Sequence, residues 1–302
     1  MPFFLIVGLG YGAGRTGFFP EEATAWLTKF VFYFALSAML FRFSARLRLA
    51  EVVDGPFLAA YLLATGLVFG LALLVAFLRR RPVAEAAIEA QCAAIGNTGF
   101  LGVPMLTLLL GEAAVGPVML VLAVDFVVFG TLVVALITGS RDGRLSLGIL
   151  RTIGLGLVKN PMLVSIALGF GWSALRLPLP DPMDSFLAIL GGAATPGALF
   201  VIGASLASKS AERPLVAGYL SFCKLVLHPA LVALAALLLF SVDPYAAAVM
   251  IAAASLPVAG NVYILAQHYG VAPHRVSTTI LFSTVGAVLT VSLVVGWVSG
   301  LE

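Results

Sequence analysis

Charge is scarce in this chain. Only 10% of its 302 residues are Asp, Glu, Lys or Arg, where a soluble domain carries roughly a quarter. With 61% hydrophobic residues and a mean hydropathy of +1.11, a soluble fold of this length would have to expose apolar surface to water. A lipid solvent removes that conflict. Strict alternation of apolar and polar residues is also missing, which excludes a membrane-spanning β-barrel. There are two cysteines, Cys92 and Cys223, both inside apolar runs, so no disulfide framework is implied. The net charge is +3, and the basic residues lie between apolar runs rather than in one tract, which gives no nucleic-acid surface. Residues 1–14 carry no basic segment ahead of their apolar stretch and do not resemble a signal peptide.

Enzymatic motifs are missing too. There is no His-Glu-x-x-His pair for zinc. Gly203-Ala204-Ser205 lacks the second glycine of a nucleophile elbow. Asp125 stands alone where an intramembrane protease needs paired aspartates. Gln267, His268 and His274 do not make a metal site without further ligands. The sequence implies no cofactor.

What is there is a series of apolar runs of helical length. Residues 57–78 and 117–138 are each near the ~20 residues that cross a bilayer. About ten spans are expected, near 1–14, 24–43, 56–78, 86–110, 114–138, 152–174, 185–207, 214–240, 244–268 and 275–299. As a helix the first would rise only about 21 Å, so either this span is short or the native chain starts upstream of Met1. Basic residues orient the chain. With the amino terminus outside, Arg15, Lys29, Arg79, Arg80, Arg81, Arg141, Arg144, Arg151, Lys159, Lys209, Arg213 and Arg275 fall inside. Arg42, Arg46, Arg48 and Arg176 fall outside. Both termini are therefore expected outside a cell (inner) membrane, against the dissent of the cluster after the second span.

The chain resembles itself at a separation of roughly 160 residues, the internal symmetry of a transporter. Pro2-Phe3-Phe4 with Gly8 and Gly10 matches Pro161-Met162-Leu163 with Gly169 and Gly171. Ala38-Met39-Leu40-Phe41 matches Gly197-Ala198-Leu199-Phe200, and Pro56–Tyr61 matches Pro214–Tyr219. Leu132-Val133-Val134 matches Leu293-Val294-Val295. An odd number of spans per half inverts the second half in the membrane. The expected fold is thus an all-α polytopic membrane protein of two inverted five-helix repeats. Residues 1–138 form the first, 139–151 a short cytoplasmic connection, and 152–302 the second.

Two spans carry helix-breaking residues at equivalent places. The fourth contains Gly96-Asn97-Thr98-Gly99-Phe100-Leu101-Gly102-Val103-Pro104, and the ninth Ser255-Leu256-Pro257-Val258-Ala259-Gly260-Asn261. Proline removes an amide donor and glycine weakens a helix interior. A broken helix leaves backbone groups unpaired near mid-membrane, tolerable only where protein or a water-filled cavity covers them. The half-helix amino ends favour an anion. Asn97, Thr98, Pro104, Pro257 and Asn261 are therefore the candidate substrate-binding residues. Harmless proline kinks are the competing explanation.

Ionisable residues inside a membrane are costly and become functional candidates by default. Asp125 lies in the fifth span, and Lys224 and His228 share a face of the eighth. Asp125 is expected either to pair with Lys224 or to carry a proton. Lys224 and His228 form a cationic patch able to attract a carboxylate, or serve only to lock helices together. Glu89 reads as a residue of the cytoplasmic end.

The stretches AIGNTGFLGVPM, SLPVAGNVYILAQHYGVAPHRVSTTI and FCKLVLHPAL resemble the auxin efflux carrier family, and the likeness runs over essentially the whole chain. That family includes plant PIN auxin exporters and bacterial carriers assigned to malonate or malate. The resemblance implies a scaffold of helices 1, 2, 6 and 7 that also dimerises. It implies a mobile transport domain of helices 3–5 and 8–10, with helices 4 and 9 crossing at the substrate and elevator-type alternating access. Asn97 matches the family asparagine that helps hold the substrate carboxylate. Pro104 matches the later proline of that segment, and Pro257 the proline of the ninth-helix crossover. The implied partner is a small organic anion, a mono- or dicarboxylate or an auxin-like aromatic acid, with protons as a possible coupling ion. The alternatives are a sodium-coupled symporter of the bile-acid type, and a channel-like or structural membrane protein. The ninth-span motif offers no carboxylate for sodium, only Ser255, Asn261 and backbone carbonyls.

Overall fold

The computed structural model describes residues 2–47, 54–142, 155, 158–207, 214–298 and 300. Most of the 139–151 connection lies outside them, as do Arg48, Arg144, Arg151, Lys209 and Arg213. The described chain is nearly all helical. Its helices are α1 (Pro2–Arg15), α2 (Glu21–Ser44), α3 (Gly55–Leu78), α4 (Val83–Ala94), α5 (Thr98–Leu110) and α6 (Glu112–Arg141). They continue with α7 (Pro161–Ala174), α8 (Asp181–Leu206), α9 (Pro214–Leu239), α10 (Pro244–Ala254), α11 (Gly260–Tyr269) and α12 (Pro273–Val298). Six of these, α2, α3, α6, α8, α9 and α12, are long and apolar enough to cross a membrane. The shortest of the six, at 24 residues, rises about 36 Å against a hydrocarbon core of ~30 Å. The chain is a multi-pass membrane protein.

Local chemistry fixes several helix starts. The carboxylate of Asp54 accepts from the Phe57 amide, and Pro56 follows in the first turn of α3. Asn160 accepts from the amides of Met162 and Leu163 ahead of Pro161, and Asp243 accepts from Ala246 ahead of Pro244. Each cap supplies an acceptor to amides that have no partner inside the helix, and proline at the first positions loses nothing. At the far end of α11, Gly270 takes the left-handed conformation (φ 64°) that stops the helix.

The chain divides into two compact units. The first comprises Met1–Val53, Gly99–Gly116 and Gly156–Lys209. In it α1 packs along α8 and α7 along α2. Both contacts rest on small residues that let backbones approach. A Cβ on Gly10 would collide with the Phe200 carbonyl, and one on Gly169 would lie 2.7 Å from the Phe41 carbonyl. Phe41 and Phe200 are matched residues of the expected repeat. Gly10 and Gly169 stand at the same separation as Pro2 and Pro161. Gly8 and Gly171 touch nothing within 4 Å of a Cβ position. Arg42 and Arg46 of the α2 end grip Asp184 at the start of α8, at 2.8 and 2.7 Å.

The second unit comprises Asp54–Thr98, Pro117–Leu155 and Ser210–Glu302. In it α3 packs on α4 and α9, α9 on α10 and α12, and α4 on α6. Glu89, expected at the end of a span, is only 1% exposed. It is ion-paired to Arg79 and, at 2.5 Å, to Arg275 of α12. Arg275 also reaches Glu85 at 3.0 Å. This cluster ties the first half-helix, α4, to α3 and α12. Arg141, at the end of α6, donates to the Tyr269 carbonyl and lies over the Tyr269 ring at the end of α11.

Candidate substrate site

The fourth and ninth expected spans are each interrupted. The first stops at Ala94 and resumes at Thr98; the second stops at Ala254 and resumes at Gly260. The two gaps meet. Gly96 and Val258 pair as an isolated antiparallel bridge. The Asn97 amide donates to the Pro257 carbonyl at 2.8 Å, and the Ala259 amide to the Ile95 carbonyl at 3.3 Å. Pro257 cannot donate, so only its carbonyl takes part. The Val258 amide is taken by the Ser283 hydroxyl of α12 at 3.1 Å. Each unwound stretch thus satisfies part of the other's backbone, as a dry interior requires.

Of the expected binding residues, the structure brings Asn97, Thr98 and Pro257 together here. Pro257 and Thr98 are buried, Asn97 is half-buried, and the side chains of Asn97 and Asn261 bond to nothing among the described residues. Asn261 is exposed, in the first turn of α11. Pro104 is buried within α5 in the first unit and adds no polar group.

Behind the paired gaps lies a buried polar network. Lys224, with no exposed surface, donates to the Ala254 carbonyl at 2.5 Å and lies 3.2 Å from Nδ1 of His228. Nε2 of His228 lies 3.0 Å from the Thr65 hydroxyl. Asp125, 4% exposed, accepts from the Tyr61 hydroxyl at 2.8 Å and from the Thr98 hydroxyl at 3.4 Å. Lys224 and Asp125 are within electrostatic range but form no direct ion pair.

The position of the Lys224 ammonium has a physical reason. It meets the last carbonyl of α10, and a Cβ on Gly96, two residues beyond α4, would lie 3.2 Å from it. It stands where the carboxyl ends of two half-helices converge, and such ends carry partial negative charge. The wound ends that follow, at Thr98 and Gly260, carry the opposite sign. The arrangement is a cation stacked behind the gap and two uncommitted amide side chains beside it.

Tyr61, Thr65 and Ser283 were not legible as site residues in the sequence. Hydroxyls in an apolar run read as tolerated polar groups, and nothing in their spacing relates them to residues far along the chain. An open cleft of about 550 Å³ between α9 and α12 shares none of the residues above. Its lining, including Phe222, Leu225, Phe282 and Val285, is almost wholly apolar and offers little to a carboxylate.

Apolar spanning helices, interrupted in the middle around a polar network, are the pattern of a multi-pass membrane transporter. The family model described as "Membrane transport protein" matches residues 1–295, and the chain belongs to that family, the auxin efflux carriers. A protein of Rhizobium meliloti (strain 1021), assigned as a malonate transporter, is 35% identical over 299 residues, 97% of this chain and 92% of that protein.

Proposed function

We propose that this protein is a secondary transporter of small mono- or dicarboxylates, with malonate the first substrate to test. The observation that carries the reading is the meeting of the two interrupted helices. There the free side chain of Asn97 stands beside backbone freed from helical bonding, with the Lys224 amine behind it. An anion is favoured at half-helix amino ends and by a nearby buried cation. The name of the Rhizobium relative supports malonate.

The fold is read as two inverted five-helix repeats. Support comes from reciprocal packing, in which α1 meets α8 through Gly10 and Phe200 as α7 meets α2 through Gly169 and Phe41. Residues 1–138 and 152–302 are the proposed repeats, joined by 139–151. The proposed scaffold, which dimerises, is α1, α2, α7 and α8; the remaining helices form the elevator-like transport domain. The proposed location is the cell membrane with both termini outside.

Protons are the proposed coupling ion and Asp125 their site, as the buried acid nearest the unwound segments. Sodium coupling of the bile-acid type is disfavoured by one observation. The carbonyl end of α10, the type of position where a transporter coordinates sodium, is occupied by the Lys224 ammonium.

The test is current on a solid-supported membrane from purified protein in proteoliposomes, together with counterflow of labelled malonate to catch electroneutral exchange. Malonate, malate and indole-3-acetate are applied in turn, with and without a pH gradient and with and without sodium. A saturable malonate response is expected, enhanced by the pH gradient and shifted to roughly tenfold higher malonate in Asn97→Ala. Loss of gradient dependence is expected in Asp125→Asn. No response to any acid by either method overturns the carboxylate assignment. Unitary currents far above carrier turnover overturn the alternating-access reading in favour of a channel.

A further inference from the structure

Two networks converge on the paired gaps, and both hang from one face of α3. Tyr61 and Thr65 are one turn apart, so their side chains project on the same side of the helix. Tyr61 donates to Asp125 at 2.8 Å, and Asp125 accepts in turn from Thr98 at 3.4 Å, the first residue after the α4 gap. Thr65 bonds His228 at 3.0 Å, His228 contacts Lys224 at 3.2 Å, and Lys224 donates to the last carbonyl before the α10 gap. The Tyr61 and His228 rings are 5.9 Å apart, so the two arms touch at their base. Every side chain in both arms is 4% exposed or less.

We infer that α3 is the strut that sets the relative position of the two unwound segments, with Tyr61 and Thr65 as positioning residues for the substrate site. The inference rests on the transport reading above for its functional consequence, but its structural content does not. Asp125 accepts from both of its hydroxyl partners, so the carboxylate fixes the direction of that arm. In the other arm Lys224 donates to the Ala254 carbonyl and lies 3.2 Å from Nδ1 of His228, whose Nε2 meets the Thr65 hydroxyl at 3.0 Å. A buried network with one link cut loses a bond that water does not replace. Helix α3 packs directly on α4 and α9 and also contacts α10. A displacement of its Tyr61–Thr65 turn therefore moves both gaps together.

The test uses Tyr61→Phe, Thr65→Val and Thr65→Ser in the full-length protein. Hydrogen exchange without substrate is read at peptides covering 92–100 and 253–262. Tyr61→Phe is expected to raise exchange at least threefold in the first peptide and less in the second. Thr65→Val is expected to do the reverse, and Thr65→Ser to restore the wild-type pattern. In counterflow with labelled malonate, each disruptive variant is expected to raise KM about tenfold with Vmax changed less than threefold, and Thr65→Ser to restore KM. Unchanged exchange in both peptides overturns the inference, as does a uniform rise across the protein, which marks general loosening. If wild-type protein does not transport malonate, the transport reading fails while the exchange result still decides the role of α3. If exchange rises as expected but KM does not, the strut exists without serving the site, and the positioning role is overturned.

Discussion

A Cβ placed on Gly96 would lie 3.2 Å from both Cε and Nζ of Lys224, with the Ala253 carbonyl at 3.4 Å. An added methyl here makes the end of the Lys224 side chain give by a few tenths of an ångström, against its bond to the Ala254 carbonyl. Gly96→Ala is expected to destabilise by about 1–3 kcal/mol, the usual penalty for overpacking. It is also expected to impair transport. Thermal unfolding in detergent and malonate counterflow check this; an unperturbed variant in both assays contradicts the fit.

Asn97 and Asn261 carry side chains with no bond to the rest of the described chain. Their truncation should leave the fold intact and cost only substrate. Asn97→Ala is expected to weaken malonate binding by roughly tenfold, the loss of one charge-assisted hydrogen bond. Its unfolding temperature is expected to stay that of wild type, within the ~0.5 kcal/mol typical of uninvolved positions. Isothermal titration paired with thermal unfolding separates the two effects. A large stability loss shows that Asn97 is structural.

Lys224 and Asp125 are a base and an acid buried in one network without an ion pair between them. Removing either alone strands the other, while removing both leaves no net buried charge. Asp125→Asn and Lys224→Met are each expected to destabilise more than additivity with the double variant allows, by a coupling of about 0.5–3 kcal/mol. Additive effects in a double-mutant cycle show that the charges are independent.

Glu89 answers two guanidinium groups, Arg79 and Arg275, at 1% exposure. Glu89→Gln leaves Arg275 with only Glu85, and is expected to cost about 3–5 kcal/mol. Asp184→Asn, at the more exposed Arg42 and Arg46 contact, is expected to cost less, because solvent screens that pair. Chemical denaturation of both variants ranks them; an equal or reversed order contradicts the burial argument.

The sequence by itself determined the solvent of this protein and the breaks in its helices. Scarce charge and long apolar runs leave a bilayer as the only environment that fits, and the Gly, Asn and Pro clusters near 96–104 and 255–261 act locally, through amide loss and backbone freedom. Helix caps at Asp54, Asn160 and Asp243 are equally local. The family likeness was legible for the same reason, since its motifs are these breaks. What only the tertiary structure decided is which groups share the buried space between helices. Tyr61 and Tyr219 are matched residues of the expected repeat, yet the Tyr61 hydroxyl bonds Asp125 while that of Tyr219 is buried and bonds no acid. Asp125 and Lys224 both stood out as costly intramembrane charges, and sequence left open whether Asp125 pairs with Lys224 or carries a proton; the structure gives each its own arm, one through Tyr61 and Thr98, the other through His228 and the Ala254 carbonyl. Apolar patterning states how much of a helix faces lipid. The side chains that meet across an interface follow from helix rotation and close glycine contacts, and these depend on residues distant in the chain.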